Sequence, residues 1–167
     1  LLGLSEIIDQ GKRAVILVGP YEHHSNLLPW RESGAEVIEI QEGSRGGPCK
    51  DQLIQVLKDV SSAEIIVGAF SAASNVTGFM TDVSDVTRIL KTYNAIAIWD
   101  YGCGAPYMSM SMGSDCNDSK DAIVFSPHKF LGGPGASGVM IVRDAVVRSL
   151  IPSLPGGGMV SFVSPVS

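Results

Sequence analysis

Apolar residues along this chain fall into two alternating patterns. Apolar stretches bounded by turn residues occupy positions 14–18, 36–40, 65–70, 95–99, 122–125 and 138–142, and several are apolar nearly throughout. Runs of this length with little polar alternation suit parallel strands whose sheet is covered on both faces. Between them, apolar positions step by three and four residues. Leu53, Val56, Leu57 and Val60 form one such stretch, and Val83, Val86, Ile89, Leu90 and Tyr93 another. That spacing gathers side chains on one face of a helix, and Thr81 is available to cap the second. Leu4, Ile7 and Ile8 show the same spacing near the start. Strands alternating with helices predict an α/β fold with a mostly parallel sheet.

Composition narrows the function. Of 167 residues, 45% are hydrophobic and 17% charged, which supplies a buried core. Nineteen glycines and nine prolines then mark tight connections rather than disorder. The formal charge is −5 with no block of Lys or Arg, so neither nucleic acid nor an anionic membrane surface is expected as a partner. No apolar run approaches the length of about 20 residues that a bilayer demands. Cys49, Cys103 and Cys116 are odd in number and match no zinc spacing. No metal site is expected, and a reducing compartment is, cytoplasmic or mitochondrial.

Ligands of such sheets bind where the strands end and the loops gather. Four polar, glycine-bearing segments follow predicted strands: 21–26, 71–78, 100–106 and 126–138. In the last, a strand delivers Ser126, His128 and Lys129 to its end, and glycines follow at once. A lysine desolvated there becomes a nucleophile, and serine, histidine and backbone amides beside it suit a phosphate. Taken alone, the segment reads more readily as a surface loop with a solvated lysine. Asp100 ends a strand with no other charge, so its carboxylate needs a cation or several donors. A protonated pyridine nitrogen is such a cation, and a local turn cap is the plainer alternative.

Four motifs together resemble one family. Glu22-His23-His24-Ser25-Asn26 followed by Pro29-Trp30, Ser74-Asn75-Val76-Thr77-Gly78, Trp99-Asp100, and Ser126-Pro127-His128-Lys129 are similar to successive motifs of class V aminotransferases and cysteine desulfurases. These are fold-type I enzymes of pyridoxal 5'-phosphate. The resemblance implies a three-layer α/β/α large domain, a homodimeric full-length parent and a small-molecule amino-acid substrate. It also implies a role for each residue. Lys129 would form the internal aldimine, His23 would stack on the pyridine ring, and Asn75 would donate to the phenolic oxygen. Asp100 would pair with the ring nitrogen, while Ser126 and His128 would contact the phosphate. Residues 1–167 are expected to be part of this cofactor-binding domain. The phosphate loop before Leu1 and the small domain after Ser167 would then lie outside the chain, which alone would be inactive.

Two positions depart from the family. Cys103 stands three residues after Asp100, where glutamine is frequent, and Met159 follows a glycine turn that carries a threonine in some relatives. Both leave room for a non-catalytic relative that keeps the fold as an interaction module. A nucleotide-binding protein using the 132–138 turn is a third reading, against which the missing Gly-x-Gly-x-x-Gly and Gly-Lys-Ser/Thr loops count.

Overall fold

A computed structural model of the chain describes residues 1–114 and 117–149. The elements run α1 (Leu4–Asp9), β1 (Ala14–Val18), α2 (His24–Arg31), β2 (Glu36–Glu39), α3 (Lys50–Asp59), β3 (Ile65–Ser71), α4 (Val83–Thr92), β4 (Ile96–Asp100), β5 (Ala122–Phe125) and β6 (Val139–Val142). The six strands make one sheet in the order β2-β1-β3-β4-β5-β6. Every pairing is parallel except β5 with β6. The mostly parallel α/β fold expected from the sequence is therefore the one observed, with strand ends shifted by one residue at most.

Three layers follow from how each strand divides its side chains. Val15, Leu17, Phe70 and Trp99 pack on one face against Leu53 and Leu57 of α3 and Val86 and Leu90 of α4. Ile16, Val18, Val67 and Ala69 pack on the other face, against Leu4 and Ile7 of α1 and Leu27 and Trp30 of α2. Burial on both sides is why β1 is apolar along its whole length and β3 carries no polar side chain before Ser71. β6 differs, with Val139, Met140 and Ile141 all exposed.

Polar groups inside this core are satisfied. Trp99 Nε1 donates to Thr87 Oγ1 at 2.9 Å, and that hydroxyl donates to Val83 O at 2.7 Å. Lys91 pairs with Asp121, whose Oδ2 also accepts from Ala97 N at 2.7 Å. The end of α4 is thus tied to both β4 and the start of β5.

Two local expectations are corrected. Thr81 does not cap α4: the cap is Asp82, whose Oδ1 accepts from Asp85 N at 3.1 Å. Thr81 is buried instead, and its hydroxyl donates to Ser71 O at 2.9 Å, a carbonyl that needs a partner there. Helix α2 was not predicted. Pro29 lies inside it and none of its residues is fully buried, so it shows no apolar stripe.

Gly68 marks a tight point of the core. A Cβ at this position would lie 2.6 and 2.7 Å from the two methyls of Leu90. Gly68→Ala is expected to destabilise the protein by about 1–3 kcal/mol through overpacking. The cost should shrink in a Leu90→Ala background, because the two changes share one space. Urea unfolding of both single variants and the double variant measures this, and additive costs would contradict the packing described.

Candidate active site

Four parallel strands, β1, β3, β4 and β5, release their chains at the same edge of the sheet. Register makes the edge even: Ser71 lies opposite Asp100, and Asp100 opposite Val124. The loops that follow enclose a cleft of about 380 Å³. His23, Asn75, Asp100, Ser126, His128 and Lys129, all six candidates from the sequence, line it.

Each is presented by a local device. His23 is the N-cap of α2: its Nδ1 accepts from Ser25 N at 3.2 Å and bonds Ser25 Oγ at 2.8 Å. The ring is thereby held at the helix start while remaining exposed. Asn75 sits in a turn built by Ser74, whose hydroxyl accepts from Val76 N and Thr77 N at 3.3 and 3.1 Å. Gly78 N closes that turn on Ser74 O at 3.0 Å. The Asn75 side chain is exposed and makes no hydrogen bond among the described residues.

Asp100 makes the local turn cap named as the plainer alternative for it. Its Oδ1 accepts from Gly102 N at 2.6 Å, the local turn bond. Its Oδ2 has no protein partner among the described residues. Ser126 caps a short 3₁₀ turn, Pro127–Lys129, closed by Lys129 N on Ser126 O at 3.0 Å. This turn carries His128 and Lys129 to the rim. There one expectation fails, since Lys129 is exposed rather than desolvated. It follows the strand by four residues, at the end of the 3₁₀ turn.

Residues missed in the sequence complete the cleft. Tyr21, Ser25, Ser71 and Gly102 line it. So does Cys103, already placed beside the site by its position after Asp100, and its Sγ contacts Ser74 O at 3.8 Å. Tyr21 OH donates to Glu42 Oε1 at 2.5 Å and accepts from Gly47 N at 2.9 Å. Burial first, and Glu42 second, push its phenol above the usual value. Behind the wall, burial pushes the Glu22 carboxyl upward against the opposing pull of bonds from Ser71, Asn26 and Gly19. The residue types and order around it were visible, but its partner Ser71 lies 49 positions away. Cys116 and the turn at Gly156, Gly157, Gly158 and Met159 lie outside the described residues.

Residues 2–167 match the family described as aminotransferase class-V. The chain belongs to that family. Among its class-V relatives, a probable cysteine desulfurase of Aeropyrum pernix is 33% identical, over 89% of this chain and 35% of its own length. One of Pyrococcus abyssi is 30% identical over 97% and 39%. Solved structures agree. The cysteine desulfurase CsdA of Escherichia coli superimposes with a TM-score of 0.72 at 28% identity, over 92% of this chain and 37% of that one. The apo cysteine desulfurase of Thermococcus onnurineus NA1 gives 0.72 at 29%, over 98% and 41%. The fold is therefore that of the fold-type I large domain, and the chain spans well under half of these relatives. Among the described residues, no helix is long and apolar enough to cross a membrane.

Proposed function

We propose that the full-length protein is a pyridoxal 5'-phosphate enzyme acting on a small-molecule amino acid, of the class V aminotransferase or cysteine desulfurase type. The observation that carries this reading is the convergence of Lys129, Asp100, His23 and Asn75, from four separate strand ends, on one cleft. Their chemistry fits the cofactor. An exposed primary amine suits its aldehyde, and the unpartnered Oδ2 of Asp100 suits a cationic ring nitrogen. The hydroxyl and imidazole of Ser126 and His128 suit its phosphate.

Lys129 would hold the cofactor covalently through Nζ, and His23 would lie flat on the ring and keep water from it. Asn75 would donate to the phenolic oxygen. Asp100 would keep the ring nitrogen protonated. The bound cofactor supplies an electron sink for charge released at the substrate α-carbon. Once the substrate amine had displaced it from the cofactor, the freed Lys129 amine would act through Nζ as general base at that carbon. Val76 and Leu131, exposed by 86 and 107% on the loops that carry Asn75 and Lys129, suit cover by a second copy, in keeping with a homodimer.

Three outcomes follow. Lys129→Ala in the full-length protein should abolish cofactor attachment reducible by borohydride. Peptide mapping after reduction should find the pyridoxyl group on Lys129, and its appearance on Lys12 or Lys91 would refute the assignment. Asp100→Asn should lower the catalytic rate by more than tenfold, roughly 1.4 kcal/mol of barrier, while circular dichroism shows an intact fold. Full activity would reduce the carboxylate to its turn bond with Gly102. Titrated alone, the 167 residues should bind the cofactor weakly and turn over no amino acid, because Lys129 and His128 stand exposed at an open rim.

A further inference from the structure

Glu22 does not line the cleft, yet its carboxylate is held by four hydrogen bonds behind it. Its Oε1 accepts from Gly19 N at 3.2 Å and from Ser71 N at 2.8 Å. Its Oε2 accepts from Ser71 Oγ at 2.8 Å and from Asn26 Nδ2 at 2.6 Å. Asn26 is oriented in turn, since its Oδ1 accepts from Trp30 Nε1 at 3.2 Å. The carboxylate therefore joins three pieces of chain: the turn leaving β1, the first turns of α2, and the last residue of β3. Gly19 is shaped for the same purpose. A Cβ there would lie 2.8 Å from Glu22 Oε1 and 2.9 Å from the Phe70 ring, so only glycine lets the carboxylate fold back.

We propose that Glu22 is a positioning residue, whose bonds to Gly19, Ser71 and Asn26 fix the turn that carries His23 against the end of β3 and so set the imidazole in the cleft. His23 directly follows Glu22, and among the described residues its side-chain bonds reach only Ser25. Those local bonds orient the ring relative to α2. Glu22 places α2 and its cap relative to the sheet edge that bears Ser71 and Asp100. The proposal rests on the cofactor reading given above.

The hydrogen-bond pattern suggests a test by inversion. In Glu22→Gln, the amide oxygen can still accept from Gly19 N and Ser71 N, but the amide nitrogen then faces the donor Nδ2 of Asn26. In Glu22→Gln with Asn26→Asp, the new carboxylate accepts from that nitrogen and from Trp30 Nε1, while Ser71 Oγ turns to accept. Full-length protein is titrated with pyridoxal phosphate, following absorbance and the circular dichroism band of the bound cofactor. Thermal unfolding of the cofactor-free form is recorded alongside. Glu22→Gln should loosen the cofactor by at least about tenfold, as expected for loss of a charge-assisted bond, and weaken the band. The double variant should return the affinity to within about threefold of the parent.

A parent that takes up no cofactor would overturn the functional reading itself. A parent that binds while Glu22→Gln binds equally well with the same band would overturn only the positioning role. So would failure of the double variant to recover, or a loosening that merely follows a fall in thermal midpoint. If Glu22→Gln does not fold, Asn26→Ala removes one of the four donors. It should give the same loosening in milder form, and an unchanged band and affinity there would equally refute the proposal.

Discussion

Hydrogen-bonded register between β3, β4 and β5 is the constraint on which the cleft depends. Ser71, Asp100 and Val124 stand side by side, and a slip of one residue would turn every side chain of a strand to the opposite face. Asp100 alternates with Trp99, which is fully buried under α4. A one-residue slip would drive the carboxylate into that dry core and expose the indole. The indole resists this through its bond to Thr87, and Ala97 N resists it through Asp121 Oδ2. The bulkiest buried residue of the sheet thus fixes the position of its only charged strand terminus at the cleft. Packing on the α3–α4 side sets geometry on the polar edge.

The loops divide their polar atoms between construction and chemistry. Nδ1 of His23 builds the start of α2, Ser74 builds the turn around Asn75, and Oδ1 of Asp100 closes the bend at Gly102. The atoms left over, the Asn75 amide and Asp100 Oδ2, are the ones that the proposed cofactor would meet. Turns satisfied by short-range bonds hold their shape without the ligand, which reduces the ordering cost on binding.

This division also explains what could be read from the sequence. The strands were legible nearly to the residue, most plainly β1 and β3, where burial on both faces leaves nearly unbroken apolar runs. Helices α3 and α4 were legible through their stripes. Helix α2 was not, since it covers the sheet mainly through Leu27 and Trp30 around an internal proline. The six candidate residues came from motif order, and the parallel topology is what brings them together. Glu22 escaped as a functional residue because its bonds to Ser71 cross 49 positions, and no local pattern signals a contact of that range. Lys129 was read as a strand-end lysine open to desolvation, and the 3₁₀ turn leaves it exposed instead.

Cys103 shows how a departure from a motif shifts weight onto its neighbours. Where relatives often carry a glutamine able to reach the phenolic oxygen, this chain places a thiol, a weak donor, and its contact is with Ser74 O. Asn75 is then the only amide side chain lining the cleft among the described residues. Its position depends on the Ser74 turn, which the thiol itself touches. The substitution removes one polar arm from the cleft, and the replacement packs against the support of the arm that remains. In the proposed reading, a single amide must do what two amides share elsewhere in the family. The rigidity of 74–78 therefore matters more here than it would beside a glutamine.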